Sequence, residues 1–240
     1  MLELRRVVRA ARPFIFRCAP PPFRTLRHAE AIMELAQWTR QHPAPVIAED
    51  RYALYRFVNS SVGAERLDYL EFGVWYGRSI KYWADINRHV DSRFFGFDSF
   101  VGLPEAWNGG TTESRDKGAF DRAGEPPGDV DDARVHFVKG WFQDTLGRFL
   151  ERATLTPPLV IHIDSDLYTS ALYCLTMLDR VAASGTVVVF DQFHAAAHEF
   201  RAFRDYVAAY RREYAVVAAV GRMPYLQIAI RLGASVTSSL

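Results

Sequence analysis

Between residues 67 and 191, short apolar runs alternate with longer segments of helical periodicity. Five runs are rich in Val, Ile, Leu and Phe: Leu67–Gly73, Phe94–Asp98, Val135–Gly140, Leu159–Asp164 and Thr186–Asp191. Near-continuous apolar runs of this length suit strands buried on both faces, and the helical stretches between them predict βαβ units in a parallel sheet. Two further runs, Tyr214–Val220 and Tyr225–Leu232, are joined through Gly221 and Pro224. That link is too short for a crossover helix, so the two should pair antiparallel. Upstream, residues 26–40 and 50–62 read as helices, with the breaker Gln41-His42-Pro43-Ala44-Pro45 between them. The expected fold is α/β: a doubly wound, mostly parallel sheet of seven strands closed by an antiparallel C-terminal hairpin.

One segment escapes this alternation. Residues 101–134 hold six glycines and three prolines among many charges. A loop of that length inside a compact domain is usually a lid or disordered. Phe100, Leu103, Trp107 and Phe120 give it apolar groups with which to close, so a lid-like insertion is expected. The chain as a whole, at 240 residues and 49% hydrophobic, suits a single domain with an extension. We place a basic N-terminal extension and helix over residues 1–45, and the principal domain over 46–240.

Charge adds one asymmetry. The formal net charge is +1, which argues against a dedicated nucleic-acid binder. Residues 1–28, however, carry seven arginines against one acid, Glu3, which leaves the remainder net acidic. Arginines recur through this leader and interrupt any apolar core of a secretory signal. A solvated leader, an arm pairing homo-oligomer subunits and a segment lying on an anionic membrane surface remain open. No run approaches the ~20 apolar residues of a transmembrane helix. The two cysteines, Cys18 and Cys174, are far apart, which excludes a zinc ribbon or disulfide scaffold and suits a reducing cytoplasm.

In open α/β sheets, ligands bind beyond the carboxyl ends of the strands. Four expected strands end in acids: Glu71, Asp98, Asp164 and Asp191. A single acid there could merely cap the next helix; four on one rim point to a site. The turn Gly73-Val74-Trp75-Tyr76-Gly77 followed by Arg78-Ser79 has the shape of a strand–loop–helix cradle. Trp75 fills a place where a dinucleotide loop needs a small residue, which disfavours an NAD(P)-dependent oxidoreductase, and no P-loop is present. Asp98 is placed to accept hydrogen bonds from ribose hydroxyls. An adenosine-containing ligand without phosphates suits both observations.

These motifs stand in order: Glu71-Phe72-Gly73-Val74-Trp75-x-Gly77, Gly96-Phe97-Asp98-Ser99-Phe100-x-Gly102-Leu103-Pro104, Gly140-Trp141-Phe142-x-Asp144-Thr145-Leu146 and Ile163-Asp164-Ser165-Asp166-Leu167-Tyr168. Together they resemble the macrocin O-methyltransferase family, Rossmann-like class I enzymes that methylate sugar hydroxyls of natural products. The resemblance covers roughly residues 50–232. It implies S-adenosylmethionine as cofactor, a glycosylated small-molecule acceptor and magnesium. By it, Glu71, Gly73 and Ser79 line the methionine end and Asp98 holds the ribose. Ser99, Phe100, Gly140, Trp141 and Phe142 surround the adenine, although Trp141 and Phe142 also read as core. Asp164 serves both cofactor and metal, Asp191 and Gln192 complete the metal set, and Asp166 is the general base.

Here the chain departs from the family pattern. Its fifth strand ends Asp191-Gln192, where the relatives carry two adjacent acids. A glutamine oxygen can ligate magnesium but brings no charge, so a weaker site is expected. His194 is the alternative base, since an imidazole is better matched to neutral pH. His194 and His198, spaced i, i+4, with Asp191 also spell a transition-metal cluster. A catalytically silent cofactor-binding module is the alternative of a different class. His162, between Ile161 and Ile163, reads as a satisfied buried residue, and Cys174 and Met177 as core.

Overall fold

A computed structural model describes residues 23–63, 66–108 and 114–235. The leader through residue 22, with its oligomer-arm and membrane-surface readings, and Cys18 lie outside the described residues. In chain order the helices are α1 (Phe23–Gln41), α2 (Arg51–Ser61), α3 (Arg78–Ile86), α4 (Phe142–Arg152), α5 (Tyr168–Leu178) and α6 (Glu199–Tyr210). The strands are β1 (Ile47–Ala48), β2 (Asp68–Phe72), β3 (Arg93–Asp98), β4 (Trp107–Asn108), β5 (Ser114–Arg115), β6 (Val135–Lys139), β7 (Leu159–Ile163), β8 (Val187–Phe190), β9 (Arg212–Val220) and β10 (Gln227–Ser235). No helix among the described residues is long and apolar enough to cross a membrane.

Eight strands form the main sheet, in the order β1-β9-β10-β8-β7-β2-β3-β6. Seven are the expected ones. The eighth, β1, adds two residues beside β9 through Ile47↔Ala219 and Ala48↔Val220; so short a strand has no periodicity to read. β10 runs antiparallel to β8 and β9, as the short link at Gly221–Pro224 requires. Every residue of β2, β7 and β8 is buried, because helices cover both faces of the sheet. One face packs Leu70, Phe72, Ile161 and Ile163 against α1, α5 and α6. The other packs Tyr69, Phe94 and Val160 against α2 and α3 through Leu54, Tyr55, Ile80 and Trp83.

The register explains the convergence of the acids. Phe72 pairs with Phe97 and with Ile163, and Ile163 pairs with Phe190. The four strands therefore finish at one level, and the residues that follow share one rim. Strand order reverses between β2 and β7, the switch point at which such sheets open a crevice. The helix expected at 26–40 is α1, and it docks on the domain: buried Trp38 donates from Nε1 to the Tyr214 hydroxyl at 3.0 Å and stacks on His42.

Candidate active site

Three residues with side chains hold left-handed backbone at the ends of the central strands: Trp75 (φ 48°) after β2, Phe100 (φ 58°) after β3 and Asp166 (φ 60°) after β7. Such conformations cost of order 1–3 kcal/mol each and persist only where neighbours enforce them. Asp98 enforces two. Its Oδ2 accepts from the backbone N–H of Val74 (2.8 Å) and Trp75 (2.9 Å), and its Oδ1 accepts from Phe100 (2.7 Å). Gly73 sits at the switch point with φ 96°, and a Cβ there would lie 1.9 Å from the Asp164 carbonyl oxygen. Glycine is thus required both by conformation and by contact.

A cavity of about 650 Å³ opens above this rim. Gly73, Asp98, Ser99, Trp141, Phe142, Asp164, Asp166, Asp191 and Gln192 all line it, so most of the expected residues meet in one place. Leu103, Pro104, Glu105 and Phe120 of the 101–134 insertion wall it from the other side. The insertion itself carries a small β4–β5 pairing and is held down by buried Trp107, which packs with Leu167 and Ala195.

Other expected residues stand elsewhere. Phe100 is wholly buried, meets Phe137 edge-on and packs in the core beside Val74 and Ile80. Gly140 does not line the cavity; its N–H donates to the Asp98 carbonyl at 2.9 Å and its φ of 139° turns the chain toward Trp141. Ser79, in the first turn of α3, lines a neighbouring cavity of about 620 Å³ that shares Arg51, Trp75 and Asp164 with the first. Glu71 is buried in mid-strand and joins His162 instead of the cavity.

His162 organises a buried chain of polar groups. Its Nδ1 lies 2.7 Å from the Tyr69 hydroxyl, which donates to Glu71 Oε2 at 2.5 Å. Its Nε2 lies 3.4 Å from the Tyr55 hydroxyl, which donates to Asp191 Oδ1 at 3.4 Å. Burial alone would lower the His162 pKa, but Asp191 and Glu71 outweigh it and raise the pKa to about 10. Both ring nitrogens thus face buried tyrosine hydroxyls. His162, Asp164 and Asp191 bring ligand atoms within 4.8 Å of one another, and of the three His162 does not line the cavity.

Acids outnumber cations around this chain. Burial and the neighbouring Asp191 push the Asp164 carboxyl well above the usual range, and the same two causes lift Asp166 to about 7. Buried Glu199, at the start of α6, is likewise raised by burial and by Asp164; it accepts from the Gln192 backbone N–H at 2.9 Å. The Gln192 amide nitrogen donates to Asp164 Oδ1 at 3.0 Å and to Asp191 Oδ2 at 3.4 Å, while its Oε1 is buried without a partner. Arg51 Nη2 meets Asp191 Oδ2 at 3.1 Å. Sequence reasoning missed Arg51, Tyr55 and Glu199, whose roles come from contacts between elements far apart in the chain.

The histidine cluster does not form. His198 accepts from Tyr168 N–H at Nδ1 (3.3 Å), and its Nε2 lies 2.9 Å from the Asn108 carbonyl oxygen, tying α5 to β4. His194 is half-buried, with Nδ1 unpartnered, and does not line the cavity.

Comparison with known proteins agrees with this architecture. The family model described as Macrocin-O-methyltransferase (TylF) matches residues 46–229. The chain is 31% identical over 166 residues to 8-demethyl-8-(2,3-dimethoxy-alpha-L-rhamnosyl)-tetracenomycin-C 4'-O-methyltransferase of Streptomyces olivaceus, covering 62% of this chain and 59% of that protein. It is 31% identical over 160 residues to demethyldecarbamoylnovobiocin O-methyltransferase of Streptomyces niveus, covering 58% and 59%. These matches thus span about three-fifths of the length of either relative. The solved structure of the O-methyltransferase NovP superposes with a TM-score of 0.54 at 21% identity, covering 88% of this chain and 99% of that one. The fold is that of a Rossmann-like class I O-methyltransferase.

Proposed function

This chain belongs to the macrocin O-methyltransferase family, and on that premise we propose that it transfers a methyl group from S-adenosylmethionine to a hydroxyl of a glycosylated small metabolite. The observation that carries this reading is the continuity of the cavity. One space of about 650 Å³ runs from Asp98, Trp141 and Phe142 to the acids Asp164, Asp166 and Asp191. The first group offers an acceptor for ribose and aromatic faces for a purine; the second offers a place to activate a hydroxyl. The two are joined at Gly73, where a methionine tail would pass.

The reaction is an in-line displacement: a bond forms from the acceptor oxygen to the methyl carbon as the bond from sulfur breaks, and a neutral thioether leaves. Alignment supplies much of the rate. The acceptor proton passes to a carboxylate, and we assign that task to Asp166, which lines the cavity, over His194, which does not. Asp164, Asp191 and the Gln192 side-chain oxygen would hold a divalent cation such as magnesium. The excess of acids supports the fit, and the Gln192 amide, whose nitrogen faces Asp164 and Asp191, would turn its buried, unpartnered Oε1 to the ion. Such an ion would supply positive charge that lowers the pKa of a bound hydroxyl. Buried, free Cys174 accords with a cytoplasmic setting.

Methyl-tritiated S-adenosylmethionine and a panel of glycosylated acceptors test the reading. Label should enter an acceptor. Asp166→Asn should slow turnover about a hundredfold or more, as loss of a general base does, and leave S-adenosylhomocysteine binding nearly unchanged. His194→Ala should remain active. Tight binding of NAD(H) with none of the sulfur nucleosides would overturn the proposal. Cofactor binding without turnover on any acceptor would favour the silent module.

A further inference from the structure

Five carboxylates face the main cavity, those of Asp98, Glu105, Asp164, Asp166 and Asp191, and among the described residues Arg51 is the one cationic side chain that joins them. Arg51 stands in the first turn of α2, 40% exposed, with Nη2 3.1 Å from Asp191, which is 2% exposed. It also lines the neighbouring cavity. Its guanidinium therefore lies where the two spaces meet and can turn toward either.

The cofactor proposed above carries an aminoacyl tail with one ammonium and one carboxylate. The ammonium finds acids in any direction. The carboxylate does not find cations so easily, and an unpaired anion among these acids would be strongly disfavoured. Backbone amides at the strand–helix turn are the other anion donors to consider, but those of Val74 and Trp75 are already engaged by Asp98. Of the two cations that line either cavity, Arg51 and Arg78, Arg51 is the one that reaches the acids of the main cavity, and its planar fork matches a carboxylate. Yet Arg51 is held by Asp191, one of the groups assigned above to a divalent cation.

We propose that Arg51 anchors the methionyl carboxylate of the cofactor and is released for that task when a divalent cation takes Asp191, so that cofactor and metal bind with positive linkage. This rests on the cofactor reading above. One guanidinium thereby serves two partners in turn: Asp191 before the ion binds, the cofactor tail afterwards. Linkage of this kind is reciprocal, so each ligand must tighten the other by the same factor.

Calorimetry on the full chain tests it with S-adenosylhomocysteine and 5′-methylthioadenosine, which keeps the nucleoside and sulfur but lacks the aminoacyl tail. With magnesium present, Arg51→Gln should weaken S-adenosylhomocysteine about tenfold or more, the usual size of a lost charged hydrogen bond. It should leave 5′-methylthioadenosine nearly unchanged, which also reports a folded pocket. In the unaltered protein magnesium should tighten S-adenosylhomocysteine severalfold and leave 5′-methylthioadenosine alone. Manganese binding, followed by electron paramagnetic resonance, should tighten reciprocally with S-adenosylhomocysteine, and Arg51→Gln should abolish the effect. Equal effects of the substitution on both nucleosides, or no effect of magnesium in the unaltered protein, would overturn the inference. If the unaltered protein binds neither nucleoside, the cofactor reading itself fails and this inference falls with it.

Discussion

Three backbone amides converge on the Asp98 carboxylate, and two of them belong to Trp75 and Phe100, which hold positive φ. A carboxylate offers about four lone-pair positions, so this arrangement leaves about one for a ribose hydroxyl. Asp98 then shapes the cofactor loop as much as it touches the cofactor. Asparagine at this position would turn an NH2 toward at least one of the three donors, whichever way its amide lies. We expect Asp98→Asn to weaken S-adenosylhomocysteine about tenfold or more and to lower the thermal midpoint, since a charged hydrogen bond is lost and a part-buried donor is left unmet. A variant with unchanged affinity and unchanged midpoint would refute both roles. The same scale shows where sequence reading stops. Asp98, Asp164 and Asp191 were legible because each ends an apolar run. Glu71 lies near the end of one, but it shares a face with Tyr69 at i, i+2 and lies opposite His162 in register, and that pairing draws it into the sheet.

Among the elements, the 101–134 insertion is fastened to the domain by ion pairs such as Lys81–Asp129 and by hydrogen bonds such as Thr169–Glu105. Trp107 packs beneath it, and His198 links Tyr168 at the start of α5 to Asn108 in β4. Loss of the imidazole removes both links, and the local opening free energy should fall by about the worth of one hydrogen bond, roughly 1 kcal/mol. We expect His198→Ala to speed limited proteolysis within 101–134 severalfold and to leave cleavage elsewhere unchanged. Slowing of that cleavage by cofactor and acceptor would mark the insertion as a lid, and identical rates with and without them would contradict it. The seven principal strands and α1 and α2 were legible because their periodicity is strong. The β4–β5 pairing and β1, two residues per strand, were not, since so short a strand shows no period.

At the scale of the whole molecule, two facts order the site: strands β2, β3, β7 and β8 end at one level, and the order of the strands reverses between the parallel neighbours β2 and β7. Strand periodicity predicts the first, and alternation of strands with helices predicts the crevice. Neither predicts the polar chain from Glu71 through His162 to Asp191, nor the meeting of Arg51 with Asp191, because these join elements that no local pattern relates. The account rests on one cavity delivering the cofactor sulfur to the acid cluster. A crystal structure of the protein with S-adenosylhomocysteine and magnesium tests this most directly. It should place the ribose at Asp98, the purine against Trp141 and Phe142, and the sulfur facing Asp164 and Asp166. A nucleoside bound outside this cavity, or one whose sulfur points away from the acids, would contradict the account.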